Sequence, residues 1–292
     1  MNSNLKGSAI LLLAALVWGL AFVAQKDAAG SIGVLSFTCL RSLVTCLVLF
    51  PVCVWRKKRF PEIKSVKAHI PAGLIMGVLL FGAVYFQQWG LEYTTASKSG
   101  FLTALYMIIV PIIGLFLGRK LKIHMLLSVA IAITGAAFLS LDFSEGFNIG
   151  KGEILTLVCA LLFAIHIIYI DSCTGGLDSV YLCAMQFGTC FVVGLVGTIL
   201  FEHLTWAQIQ NSLGSILYVG ALSGAVGYTF QIIGQKYAEP ILASIVMCME
   251  SVFAVLGGWL IGGELLTGLE YLGCVLMLAG CIIAQLPAKR AD

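Results

Sequence analysis

Residues 7–25 read GSAILLLAALVWGLAFVAQ, a stretch with no charged residue between Lys6 and Lys26. A helix of about 20 apolar residues crosses a hydrocarbon core about 30 Å thick, so this stretch has the length of a transmembrane helix. It is longer than the apolar core of a typical signal peptide, has no convincing cleavage site and is followed by many similar stretches. We therefore predict that it is retained as the first membrane-spanning helix.

The composition extends this interpretation to the whole chain. Of 292 residues, 60% are hydrophobic and 11% are charged, and the mean hydropathy is +1.02, whereas about a quarter of the residues in soluble domains are charged. We expect an all-α integral membrane protein whose surroundings are the lipid bilayer. The net charge of +3 is too small to indicate a nucleic-acid partner, and the basic residues cluster between apolar runs.

Apolar stretches recur along the chain, separated by short polar or charged breaks. We predict ten transmembrane helices, at residues 7–26, 31–54, 70–91, 95–118, 122–141, 152–171, 178–201, 212–235, 238–262 and 267–286. Because the connecting loops are short, neighbouring helices should run antiparallel.

The two halves of the chain resemble each other in a collinear order. The matches are Gly82-Ala83-Val84 with Gly224-Ala225-Val226, Gln88 with Gln231, Tyr93 with Tyr237, the block Gly118-Arg119-Lys120-Leu121 with Gly262-Gly263-Glu264-Leu265, and Gly7 with the region of Gly152. We predict one transmembrane domain built from a first five-helix repeat at 1–146 and a second at 147–292. Since five is odd, the second repeat would be inverted, an arrangement that is typical of transporters.

The distribution of Lys and Arg predicts the orientation. With the N-terminus inside, the inner loops and termini hold Lys6, Arg56, Lys57, Lys58, Arg59, Lys64, Lys67, Arg119, Lys120, Lys122, Lys236, Lys289 and Arg290. The outer side holds only Lys26, Lys98 and Lys151. Such a bias favours a multi-pass protein of the plasma or inner membrane with both termini in the cytoplasm.

Two charged residues fall near the middle of predicted spans, Arg41 in the second and Glu250 in the ninth. A central charge costs about 2.5 to 3.5 kcal/mol on insertion scales, so such residues usually face protein or water and mark solute or ion pathways. Because burial favours the protonated form of a carboxyl group, Glu250 is a candidate for proton coupling or for recognition of a cationic group. The alternative is a structural ion pair between Glu250 and Arg41.

Other polar and aromatic residues are candidates for lining a central cavity. Tyr85 and Gln88 in the third span occupy positions related to Tyr228 and Gln231 in the eighth. Aromatic walls and further polar groups would come from Trp18, Phe22, Tyr106, His166 and Gln186. For any single aromatic residue, ordinary packing is the competing interpretation, and His166 and Gln186 are also suited to hydrogen bonds between helices.

No motif indicates a catalytic, metal or cofactor site. The ten cysteines lie almost all in apolar stretches without CxxC spacing, so we interpret them as packing residues. We find no Walker A, HExxH or GxSxG sequence and no acid-rich metal cluster. We therefore expect a protein that is not an enzyme and needs no cofactor.

Several motifs together resemble the EamA group of the drug/metabolite transporter superfamily, over essentially the whole chain. They are Leu16-Val17-Trp18-Gly19 with Phe22, the mid-helix Arg41, the stretch from Thr95-Ala96 to Pro111, and Leu260-Ile261-Gly262-Gly263-Glu264-Leu265. The resemblance implies a ten-helix inverted-repeat bundle whose central site is lined by the first four helices of each half. Trp18, Arg41 and Glu264 match the family pattern, whereas Ser251 stands where a proline is common and Lys120 where an acid is common.

The leading functional expectation is a secondary active transporter that exports amino acids or other small metabolites by alternating access, with proton coupling through Glu250. An intramembrane enzyme acting on a lipid-linked substrate is an alternative, as is a channel or a structural membrane subunit. The sequence leaves the oligomeric state open between monomer and homodimer, because faces of small residues such as Gly257 and Gly258 suit packing within or between protomers.

Overall fold

The computed structural model describes residues 3–119, 122–140, 150–262 and 267–286. Within these ranges the chain is helical apart from its loops and one isolated β-bridge between Ala29 and Ile32. The helices are α1 (Ser3–Ala28), α2 (Val34–Arg59), α3 (Val66–Leu91), α4 (Ala96–Ala104), α5 (Tyr106–Phe116), α6 (Ile123–Ser140), α7 (Lys151–Cys173), α8 (Ser179–Phe201), α9 (Trp206–Asn211), α10 (Leu213–Leu217), a π-helix (Tyr218–Gly227), α11 (Tyr228–Gln235), α12 (Pro240–Met247), α13 (Glu250–Gly262) and α14 (Gly268–Ala284). The predictions on Lys120, Leu121, Gly263, Glu264, Leu265, Lys289 and Arg290 lie outside the described residues.

Helices stand at all ten predicted spans, within a few residues of the predicted bounds. In the described part of the chain, seven stretches are long and apolar enough to cross a membrane, and these are Ser3–Ala28, Val34–Arg59, Val66–Leu91, Lys98–Phe116, Lys151–Cys173, Ser179–Phe201 and Leu213–Gln235. The fifth, ninth and tenth predicted spans correspond to the shorter apolar helices Ile123–Leu139, Pro240–Leu256 and Gly268–Ala284.

The outer surface of the bundle is apolar. Phe116 is 87% exposed and Phe201 is 79% exposed, and many leucine, isoleucine and valine side chains also point outward. Monomeric soluble proteins rarely expose contiguous apolar patches of more than a few hundred square ångströms. This surface is instead suited to contact with hydrocarbon chains.

Two of the predicted spans are interrupted in the middle. The fourth divides at Leu105, whose N–H donates to Leu102 O at 3.3 Å, and the ninth divides before Glu250, where the Met249 N–H donates to Val246 O at 3.2 Å. These are i→i+3 bonds, which tighten a helix locally to the 3₁₀ form. The two spans are therefore not regular α-helix at these points.

Corresponding glycines of the two halves form close helix crossings. A Cβ atom placed on Gly7 of α1 would lie 2.9 Å from the Gly234 carbonyl oxygen of α11, and one placed on Gly152 of α7 would lie 3.0 Å from the Gly90 carbonyl oxygen of α3. Only residues without a side chain allow two backbones to approach this closely. The two crossings fix α1 against α11 and α7 against α3 in the same way.

Each crossing ends in a lysine and a tyrosine at opposite ends of the bundle. At the end that carries the N-terminus, the Lys6 Nζ atom lies 4.3 Å from the ring centre of Tyr237 and donates to its hydroxyl. At the opposite end, the Lys151 Nζ atom lies 4.1 Å from the ring centre of Tyr93 and donates to its hydroxyl. Tyr93 and Tyr237 are a pair that the sequence repeat predicted.

Candidate functional site

A polar cavity lies between the interrupted helices and their neighbours, and both halves of the chain line it. The space around the lining atoms is about 470 Å³, including space that is open to the exterior. The lining residues are Trp18, Ala21, Phe22, Gln25, Arg41, Gln87, Thr103, Tyr106, Phe163, Ile167, Ser223, Tyr228, Gln231, Met247 and Glu250. Seven of the eleven residues predicted from the sequence are among them.

Arg41 supplies the positive charge of the cavity. It is 5% exposed, and its guanidinium donates through Nη1 to Gln25 Oε1 at 3.2 Å. The guanidinium carbon lies 5.8 Å from the ring centre of Phe37. The Nε atom is buried without a hydrogen-bond partner in the described protein. Arg41 therefore has hydrogen-bonding capacity that its protein neighbours do not use.

Glu250 supplies the negative charge. It is the first residue of α13 and is 5% exposed, and the Tyr106 hydroxyl, at the first residue of α5, donates to its Oε1 atom at 3.5 Å. Both residues thus stand directly after the interruptions in their helices. Among the described residues, no ion pair joins Glu250 to Arg41, although both line the same cavity.

Neutral polar groups complete the wall of the cavity. Gln87 Nε2 donates to Thr103 Oγ1 at 3.3 Å, whereas the Oε1 atom of Gln231 is buried without a hydrogen-bond partner in the described protein. The indole N–H of Trp18 donates to the carbonyl oxygen of Ser223 in the π-helix at 3.3 Å. Most buried polar atoms in proteins have a partner, so the Gln231 oxygen needs an explanation.

Four predicted residues lie outside the cavity. Tyr85 belongs to an aromatic cluster with Phe81, Phe86 and Trp89. Gln88 donates through Nε2 to the backbone oxygen of Gln25 at 3.0 Å.

The other two predicted residues outside the cavity contact each other. His166 Nε2 and Gln186 Oε1 are 3.0 Å apart, and both side chains are fully buried. This bond links α7 to α8. Hydrogen bonding between helices was one of the two interpretations of these residues.

Some lining residues were missed from the sequence. Gln25 follows Trp18 and Phe22 at the spacing of one helix face, so this pattern would have revealed it. Gln87 was missed because the repeat was aligned with Gln88 opposite Gln231, one residue out of register. Phe163, Ile167 and Met247 carry no polar group that distinguishes them from packing residues.

In the part of the chain that the structure describes, the cysteines and acids form no second centre. All ten cysteines are free thiols. In the described ranges, no group of three or more His, Cys, Asp or Glu side chains is placed to hold a metal ion.

Helices of membrane-spanning length surround an internal polar cavity. This arrangement is that of a polytopic membrane protein with a site for a solute. The EamA-like transporter family matches residues 5–141 and matches again at residues 150–285. The chain therefore belongs to the EamA-like transporter family and is a membrane transporter.

Individual relatives agree with this assignment. An uncharacterized transporter of Archaeoglobus fulgidus is 30% identical over 279 residues, covering 94% of this chain and 84% of the relative. The uncharacterized transporter YoaV of Bacillus subtilis is 26% identical over 288 residues, covering 94% and 95%. A solved crystal structure superposes over all of both chains with a TM-score of 0.78 and 17% identity, a similarity that concerns the fold alone.

Proposed function

We propose that this transporter is a secondary active exporter of amino acids or other small metabolites that works by alternating access and is coupled to protons through Glu250. The observation that carries the proposal is one cavity with an arginine and a glutamate that do not pair with each other. A zwitterionic solute, with a carboxylate near Arg41 and an ammonium group near Glu250, would supply both missing partners.

The proposed architecture is a ten-helix bundle of two inverted five-helix repeats in the cell membrane, with both termini in the cytoplasm. Its support is the correspondence of contacts between the halves. α1 packs against α11 as α7 packs against α3, while α2 packs against α8 and α6 against α14. Two halves of opposite orientation that pack in this way can exchange conformations around a central site.

Proton coupling is proposed for Glu250 because of its surroundings. An ionised carboxylate with little exposure is costly unless it is compensated, and here one long hydrogen bond from Tyr106 is its side-chain partner. Binding or release of a proton therefore changes the charge of the cavity substantially. A solute that carries a positive charge would compete with the proton for the same carboxylate.

The test is flux of an amino-acid and metabolite panel, driven by a proton gradient in proteoliposomes. Parent protein, Glu250→Gln and a control, Glu62→Gln in an exposed loop, are compared. We expect the parent and the control to transport with proton dependence and Glu250→Gln to lose that dependence. Identical transport by all three would refute coupling through Glu250, and absence of flux in the parent would refute the solute class.

A further inference from the structure

We infer that His166 and Gln186 form a second polar wall for the transported solute, closed in this structure and exposed in the opposite-facing state. The inference rests on the proposed function, since it needs two halves that exchange conformations. Some residues of one half line the cavity described above, whereas their counterparts in the other half do not.

At five positions, corresponding residues of both halves line the cavity. The pairs are Trp18 with Phe163, Phe22 with Ile167, Gln87 with Gln231, Thr103 with Met247, and Tyr106 with Glu250. The glycine crossings set the register of the first three pairs, because Gly7 contacts Gly234 as Gly152 contacts Gly90. The helix interruptions set the register of the last two, because the Leu105 N–H donates to Leu102 O as the Met249 N–H donates to Val246 O. The middle of the cavity is therefore shared equally by the two halves.

Beyond these pairs the two halves contribute different positions, namely Ala21, Gln25 and Arg41 from the first half and Ser223 and Tyr228 from the second. Ala21 and Arg41 line the cavity, whereas their counterparts His166 and Gln186 are buried away from it. The correspondence of Arg41 with Gln186 follows from the backbone. A Cβ atom on Gly220 would lie 2.7 Å from the Arg41 carbonyl oxygen, and one on Gly77 would lie 2.7 Å from the Gln186 carbonyl oxygen.

A pair of hydrogen bonds repeats the same correspondence one turn further along. Thr45 Oγ1 donates to the Gly220 carbonyl oxygen at 2.7 Å, and Cys190 Sγ contacts the Gly77 carbonyl oxygen at 3.4 Å. The contact of α2 with the π-helix and the contact of α8 with α3 are thus equivalent. If the halves exchange conformations, Arg41 moves into surroundings like those that Gln186 has here, and Gln186 moves into surroundings like those that Arg41 has here.

An unpaired atom at the closed wall supports this role independently. The Nδ1 atom of His166 is fully buried and has no hydrogen-bond partner among the described residues. The other ring nitrogen and the Gln186 side chain bond to each other, and Gln186 Nε2 also contacts Cys183 Sγ at 3.8 Å. A buried polar atom without a partner is explained if a solute supplies the partner in the other state.

The two walls differ in charge, which predicts their ligand chemistry. The Arg41 wall holds a permanent cation and suits the anionic group of the solute. The His166 wall offers an imidazole and a neutral amide. It can bind the same anionic group of the solute, but with fewer charge-assisted hydrogen bonds. The solute would accordingly be held more tightly in the state shown here and released from the other.

Residue-specific labelling tests the exchange. Diethylpyrocarbonate modifies His166 and phenylglyoxal modifies Arg41, and mass spectrometry measures both rates relative to the exposed His203. Gly77→Ala places a methyl group against Gln186, and Gly220→Ala places one against Arg41. Gly188→Ala, whose Cβ atom would have no atom within 4 Å, is the control.

We expect Gly77→Ala to raise the labelling rate of His166 about fivefold and to lower that of Arg41, and Gly220→Ala to do the reverse. The inference would be overturned if either variant raised the labelling rate of one of these two residues without lowering that of the other, or raised both rates. If Gly77→Ala is not recovered folded, Gly73→Ala in the same contact, where the Cβ atom would meet Met185, replaces it. Folded parent protein in which His166 is never labelled would also overturn it.

The outcome is separable from that of the flux test. Reciprocal labelling without flux of the panel would reject the solute class and leave the second wall in place. Flux with labelling that is not reciprocal would reject the second wall alone.

Discussion

The two halves of the chain are alike at the helix crossings and different in the cavity wall. At the crossings, Gly7 meets Gly234 as Gly152 meets Gly90, with nearly equal distances. In the cavity, corresponding positions carry different side chains, most clearly Tyr106 and Glu250. Backbone packing tolerates little change, whereas a site for an asymmetric solute needs different groups on its two sides. The scaffold is therefore repeated and the chemistry is not.

Arg41→Gln removes the largest chemical difference, because it gives the first half the residue that the second half has as Gln186. Hydrogen bonds to charged groups contribute about 1.5 to 3 kcal/mol. We expect transport of solutes that carry a carboxylate to fall about 10- to 100-fold in proteoliposomes. Arg41→Lys, which keeps the charge without the planar fork, should retain part of the activity. Unchanged flux in Arg41→Gln would mean that the cation does not contact the solute.

Gly90→Ala and Gly234→Ala test whether the crossings are equivalent. Each added methyl group would meet a backbone oxygen of the facing helix, at 3.0 Å and 3.1 Å respectively. Overpacking of this kind costs about 1 to 3 kcal/mol. Thermal unfolding in detergent should show similar losses for the two variants, while Gly188→Ala should be neutral or slightly stabilising. A loss in one variant alone would show that the crossings carry unequal strain.

Gln87→Leu should lower the stability of the fold, whereas Gln231→Leu should not. Gln87 has a protein partner in Thr103, so its replacement should destabilise the fold by about 1 kcal/mol. The Gln231 oxygen has no partner, so its replacement should leave the unfolding temperature unchanged or raise it while flux falls. If Gln231→Leu destabilises the protein and transports normally, its role is structural.

Lys6→Gln and Lys151→Gln probe the ends of the crossings and should have the smallest effects. Cation–π contacts at exposed sites contribute about 0.5 to 1 kcal/mol. We expect both variants to unfold within a few degrees of the parent and to transport at rates within about twofold of it. A severe transport defect in one of them would make that end of the bundle a functional gate rather than a packing contact.

The sequence was a good guide to the helices and a poorer guide to the rotation of their faces. Apolar length and charged breaks predicted a helix at each of ten positions, and helices lie there, seven of them in stretches long and apolar enough to cross a membrane. The interruptions at Leu105 and before Glu250 could not be read, since neither carries a glycine or proline to mark it. The one-residue error at Gln88 had another cause. Its effect was large, because a helix turns about 100° per residue and a one-residue shift moves a side chain to another face.

The structural register between the halves changes by one residue in the segment that contains the π-helix of Tyr218–Gly227. Between the matched contacts of Gly220 and Gly234, the second half contains one residue more than the first half does between Gly77 and Gly90. A π-helix accommodates an extra residue by widening a turn, so the later side chains keep their facing. Without this widening, every residue after the insertion would have rotated away from its partner.

If the two halves descend from one duplicated segment, the same feature bears on the history of the gene. A codon inserted into one copy of a duplicated segment would ordinarily be lost, because it misplaces the rest of the helix. Here the widened segment keeps the facing of the later residues, and the Ser223 carbonyl oxygen within it accepts a hydrogen bond from the indole N–H of Trp18. A chimera in which residues 77–90 replace 220–234 would remove the extra residue, and it should give a plain α-helix that is one residue shorter.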